Sequence, residues 1–261
     1  MKHRIACIVV LWSIAWPRPA AAQDITIAAA SDLSFAMNEL IPGFEKATGH
    51  HAKLSTGSSG NIFSQIQNGA PFDLFFSADI DYPRQLETAG LIEPGSLYVY
   101  ATGKIVLWVR KDSPLDVSKG WAAVLDPRVK KIAIANPLHA PYGRAAEAAM
   151  RNAGVYDRVA QRLVLGENIS QAAEFVDTGN ADIGILALSL ASAAAMKNNG
   201  RWWLVPENSY PRLEQAAVVL RSSEKKEIAR TFLAYVRSVE GKAILQRNGL
   251  GEPPRAADSR P

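Results

Sequence analysis

Residues 56–61 read TGSSGN. Ser58 and Ser59 lie between two glycines, and the helical run IFSQIQNG follows almost at once. The stretch offers uncharged donors without a lysine for a phosphate or a histidine to activate a serine. Three other junctions have the same character. AAASDL puts Ser31 and Asp32 at the end of an apolar run, NPLHAPYGRAA puts Tyr142 and Gly143 ahead of an alanine-rich helix, and GENISQAA puts Asn168 and Ile169 ahead of another. A helix N-terminus presents unpaired N–H groups and a partial positive charge, so it can hold an anion without a cation. Serine hydroxyls add donors. Taken singly, each junction also reads as plain structure. Ser31, Asp32 and Asn168 are common caps, the glycines suit a turn, and Tyr142 suits a surface aromatic. Pattern alone leaves an oxyanion site and a set of ordinary caps both open.

Catalytic readings fit less well. A serine hydrolase needs a Ser–His–acid arrangement, yet beyond residue 22 the histidines are His50, His51 and His139 alone. GSSG is not the G-x-S-x-G elbow, and adjacent His50 and His51 lack zinc-motif spacing. His139 reads as a loop histidine. An iron site would want clustered tyrosines and carboxylates, of which only Tyr142 is suitably placed. The chain is expected to be no enzyme and to need no cofactor.

The elements that must position these junctions follow from periodicity. ITIAAA (25–30), AKLSTG, DLFFSA (73–78), KIVLWVR (104–110), KKIAIANP (130–137), ADIGILAL (181–188) and LEQAAVVLR (213–221) read as strands. Helical spacing links them, as in Leu33, Ala36, Met37, Leu40, Ile41 and Phe44, where Pro42 is expected to kink the helix. Gly49, Gly90 and Gly154 read as helix stops. The alternation predicts an α/β fold with mainly parallel sheets, whose ligands lie beyond the carboxyl ends of the strands.

The N-terminus has a basic start at Lys2 and Arg4, an apolar run from Ile5 to Trp16, and Ala20-Ala21-Ala22. That is the layout of a secretory signal peptide, and cleavage is expected after Ala22. The sole cysteine, Cys7, lies inside it, so the remainder has no disulfide or thiolate chemistry. Loss of Lys2, Arg4 and Arg18, with no acidic residue, takes the net charge from +4 to +1. A near-neutral surface argues against nucleic acid or an anionic membrane as partner.

The segments AAASDL, STGSSGNIFSQIQNGAPFDLFFSAD, IAIANPLHAPYGRAA and NADIGIL resemble the periplasmic molybdate-binding proteins of ABC importers, and the resemblance runs from Ile25 to Gly249. It implies a two-lobed periplasmic protein that closes on one tetrahedral oxyanion, molybdate or tungstate, and a membrane ABC permease as partner. A monomer is the default. The resemblance carries the ligand positions to Ser31 and Ser59, each through N–H and hydroxyl, to Tyr142, and to the N–H of Ile169. Asp32, Ser58 and Asn168 are additional candidates. Some members use a tyrosine hydroxyl where this chain has Ala187; here Tyr142 is expected to supply it from the proline loop. Asp32 is expected to turn away from a dianion or cap the helix, since like charges repel strongly in a desolvated cleft. Arg144 reads either as solvent-facing or as positive potential at the cleft mouth. The lobes are expected at 24–103 plus 216–254 and at 104–215, joined by two crossover strands as hinge, with residues 255–261 a disordered tail. The same fold with another oxyanion, such as sulfate, remains an alternative.

Overall fold

The computed structural model describes residues 24–254. The expected leader, with Cys7 and the cleavage after Ala22, and the expected tail 255–261 lie outside those residues.

Ten strands form two sheets. In chain order they are β1 (Asp24–Ala30), β2 (His51–Gly57), β3 (Leu74–Ser77), β4 (Tyr98–Gly103), β5 (Ile105–Arg110), β6 (Ile132–Ala135), β7 (Leu163–Gly166), β8 (Ile183–Ala187), β9 (Gly200–Leu204) and β10 (Leu213–Val219). The first sheet has the order β2-β1-β3-β10-β4 and the second β7-β6-β8-β5-β9. In each, one strand opposes the others: β10 runs antiparallel to β3 and β4, and β5 to β8 and β9. The sheets are thus mainly parallel, each interrupted by one antiparallel strand.

Both faces of the first sheet are buried, so its strands read as apolar runs rather than as alternating ones. Along β10, Ala217 and Val219 pack under the helices Ser34–Thr48, Lys226–Arg237 and Val239–Arg247, while Val218 packs on the other face with Ile62, Phe75 and Leu86. The second sheet centres on Trp108, Val106, Ile134, Ile185 and Leu186. The helix Ser34–Thr48 continues through Pro42 and ends at Gly49.

Register brings the chemistry to one level. Ala30 lies opposite Gly57, and Ala29 opposite Phe76, so β1, β2 and β3 end side by side. In the second sheet Ala135 lies opposite Gly166. The chain passes between sheets at Lys104, and again between Leu204 and Leu213. The returning strand therefore begins two residues before the expected crossing near Gln215. Three strands were missed by the periodicity reading, β4 (YVYATG), β7 (LVLG) and β9 (GRWWL), and β8 is followed by two short helices, Leu188–Ser192 and Ala194–Lys197.

Candidate functional site

Each candidate residue lies in the segment that follows a strand. Ser31 follows β1 and opens the 3-10 turn Ser31–Leu33. Ser58 follows β2 and caps the helix Ser59–Gln67, accepting from the Asn61 N–H. Asn168 follows β7 by one residue and caps the helix Ile169–Asp177, accepting from the N–H groups of Ser170 and Gln171. Pro141 opens the helix Pro141–Asn152, which includes Tyr142 and Gly143 rather than following them. Ser59 and Ile169 hold the first helical position and Tyr142 the second, so their N–H groups have no carbonyl one turn back to reach. Among the described residues, no loop carbonyl accepts from them either. Ser31, Ser58, Ser59, Tyr142 and Ile169 are all buried.

The two sheets meet through these residues. The Ser31 hydroxyl donates to Asn168 Oδ1 at 3.1 Å and accepts from the Ser170 N–H at 3.3 Å, while Ser170 Oγ donates to the Ser31 carbonyl at 3.0 Å. The Gly60 N–H donates to the His139 carbonyl at 2.8 Å, and His139 Nδ1 lies 2.8 Å from Ser58 Oγ. Gly60 is required by that approach, because a Cβ there would sit 2.6 Å from the His139 carbonyl oxygen and 2.6 Å from the Tyr82 hydroxyl. Asn61 Nδ2 donates to Glu167 Oε1. Ser59 Oγ accepts from the Ala78 N–H at 2.9 Å, an arrangement that leaves its own proton for a ligand.

Asp32 neither caps a helix nor reaches solvent. Its Oδ2 accepts from the Tyr142 hydroxyl at 3.0 Å and from Gln215 Nε2 at 2.7 Å, and Gln215 Nε2 also lies 2.9 Å from the Tyr142 hydroxyl. Asp32 Oδ1 and Gln215 Oε1 are buried without a protein partner. Burial pushes the Asp32 carboxyl up to about 6, against the lowering effect of the bonds from Gln215 and Tyr142. Burial, then the neighbouring Asp32 charge, raises the Tyr142 phenol well above its ordinary value. The Tyr142 hydroxyl, expected to stand in for the donor absent at Ala187, thus has its proton directed at Asp32. Ala187 is buried at the end of β8.

Arg144 is neither solvent-facing alone nor a free cation. Its Nη2 lies 2.5 Å from Asp79 Oδ2, its Nη1 donates to the Tyr82 hydroxyl at 3.2 Å, and its guanidinium lies 5.4 Å from the Tyr82 ring centre. Burial raises the Asp79 carboxyl, while the Tyr82 N–H and Arg144 pull it back. The candidate residues supply hydroxyls and amides, and the neighbouring Arg144 is already paired. Gln215, Ser170, Glu167, Asp79 and Tyr82 were not among the residues expected here. Only Gln215 carried a signal, as an amide directly ahead of the apolar run AAVV of β10.

A family model described as bacterial extracellular solute-binding protein matches residues 25–251. The chain is 38% identical over 231 residues to the molybdate-binding protein ModA of Rhodobacter capsulatus, covering 88% of this chain and 89% of that one. It is 36% identical over 233 residues to ModA of Azotobacter vinelandii, covering 89% and 91%. The solved structure of the Azotobacter vinelandii periplasmic molybdate-binding protein superposes with a TM-score of 0.83 at 34% identity, covering 88% of this chain and all of that one.

Proposed function

This chain belongs to the bacterial extracellular solute-binding proteins, and on that premise we propose that it captures molybdate or tungstate between its two lobes and hands it to an ABC importer. One observation carries the reading. Ser31 and Ser59 follow strands of the first sheet, Tyr142 and Ile169 open helices that follow strands of the second, and the Ser31–Asn168 and Asp32–Tyr142 bonds link the two sets, while the neighbouring Arg144 is paired with Asp79. The similarity to two ModA proteins supports the choice of anion. The protein acts in the periplasm after losing residues 1–22, as a monomer, with no cofactor and no nucleic acid.

Neutral donors suit the task. A free cation attracts any anion, whereas a fixed cage discriminates by size. Each buried donor that an anion fails to reach costs about 1–3 kcal/mol. Sulfate is smaller than molybdate and leaves donors stretched. Molybdate and tungstate are nearly the same size, and both are expected to bind. Lobes 24–103 plus 213–254 and 105–204, linked by the two crossings, close around the anion and separate to release it.

Isothermal titration of residues 23–261 tests this. One-to-one binding of molybdate and tungstate, with sulfate weaker by at least about a hundredfold, is the expected outcome, since two stretched donors amount to about that factor. Sulfate binding as tightly as molybdate would overturn the assignment of the anion.

A further inference from the structure

Gln215 is fully buried in β10, two residues from the point where the chain returns to the first sheet. A buried amide is costly unless it is bonded, so its partners define its role. Its Nε2 lies 2.7 Å from Asp32 Oδ2 and 2.9 Å from the Tyr142 hydroxyl. Asp32 follows β1 and belongs to the same sheet, whereas Tyr142 starts a helix that follows β6 in the other. The pairing of β10 with β4 shifts register between Gln215 and Ala216. Such a bulge re-aims a side chain, and it does so here beside the crossing. The other crossing adjoins the same group. Gly103 ends β4 opposite Leu213. A Cβ there would lie 2.4 Å from the Tyr142 hydroxyl and 2.9 Å from Gln215 Nε2. Both connections between the sheets therefore touch the point where Asp32 and Tyr142 meet.

We propose that Gln215 is a positioning residue that ties the hinge to the anion site, holding the Tyr142 segment against the Ser31–Asp32 segment only when the lobes are closed. The inference rests on the molybdate reading above. Gln215 and Asp32 share a lobe, so their bond survives opening. The bonds from Gln215 and Asp32 to Tyr142 cross between lobes and are lost on opening. A ligand favours closure only through contacts unique to the closed state, and interlobe bonds that do not touch the ligand add to the same balance. Ser31 and Tyr142, proposed to offer their amides to the anion, are the neighbours that this bond brings together. Gly103 is glycine because the hinge must pass within contact distance of the same hydroxyl and amide.

The test measures molybdate affinity by titration and dissociation by chasing radiolabelled molybdate with unlabelled anion, for the parent, Q215L, G103A, Y142F and the Q215L/Y142F pair. Q215L and G103A are expected to weaken binding by roughly 10–100-fold, the range for losing hydrogen bonds to a buried charged group. The loss is expected in dissociation, with association changed by less than about threefold, because encounter occurs with the open form. The double variant is expected to bind no worse than Y142F, because residues in one network do not add. Should Q215L fail to fold, G103A alone carries the comparison. Unchanged affinity in Q215L or G103A, a loss confined to association, or additive losses in the double variant would each overturn the proposal. Absence of molybdate binding by the parent would overturn the functional reading and this inference with it.

Discussion

The most informative single residue is Asp32, a buried carboxyl next to a proposed anion ligand. Its ordinary value is 3.8, and in the folded protein it is raised to about 6. The folded state therefore keeps a proton that the unfolded chain has already lost. Its stabilising effect is fully present below about pH 3.8 and is lost as pH rises through about 6. From about pH 4 to pH 7 the loss is roughly 2 kcal/mol. Asp32→Asn cannot lose it, so the stability of this variant relative to the parent is expected to rise by roughly 2 kcal/mol over that interval in urea melts. A pH-independent difference would show that Asp32 keeps its ordinary proton affinity. A bound dianion adds to the same penalty, so molybdate affinity is also expected to fall as pH rises through 6. The sequence put Asp32 and Tyr142 among the candidates but did not pair them, nor add Gln215. Tyr142 is 110 residues away and Gln215 is 183 away, and no local pattern encodes those separations.

At the level of elements, the proposed site depends on helix starts, and Asn168 shows how one side chain serves two of them. Its Oδ1 accepts from the Ser170 and Gln171 N–H groups and from the Ser31 hydroxyl of the other lobe. Asn168→Ala is expected to destabilise the protein by about 1 kcal/mol through the lost cap, read by urea unfolding, and to weaken molybdate binding as well by freeing Ser31. Full affinity in a destabilised variant would reduce Asn168 to a cap. Helix starts were the legible part of the sequence, because serine or asparagine after an apolar run has a local cause. Of the strands, β4, the four-residue β7 and β9 were not legible. In β4 the run YVYATG leads through Lys104 directly into a second strand that belongs to another sheet, and periodicity cannot signal such a break. In β9 two tryptophans and an arginine share a short, half-exposed strand. The antiparallel placement of β5 and β10 was equally hidden, since buried strands of either direction read as apolar runs.

At the scale of the whole molecule, two sheets connected, among the described residues, at Lys104 and between Leu204 and Leu213 form a hinged pair. Their facing ends are joined by Ser31–Asn168, Gly60–His139, Ser58–His139, Asp32–Tyr142 and Asp79–Arg144. These contacts favour the closed arrangement, and on the proposed reading an anion seated among them stabilises it further. Any ligand that binds only the folded, closed protein raises its melting temperature by mass action. The most direct measurement of the central claim is a thermal melt of residues 23–261 with molybdate, tungstate, sulfate or phosphate added in turn. At a thousandfold excess over the dissociation constant the ligand adds about 4 kcal/mol, which for a chain of this size corresponds to a rise of roughly 10 °C. That rise is expected with molybdate and with tungstate, and a much smaller one with sulfate and phosphate at the same concentration. No rise with molybdate, or the largest rise with sulfate, would contradict the account.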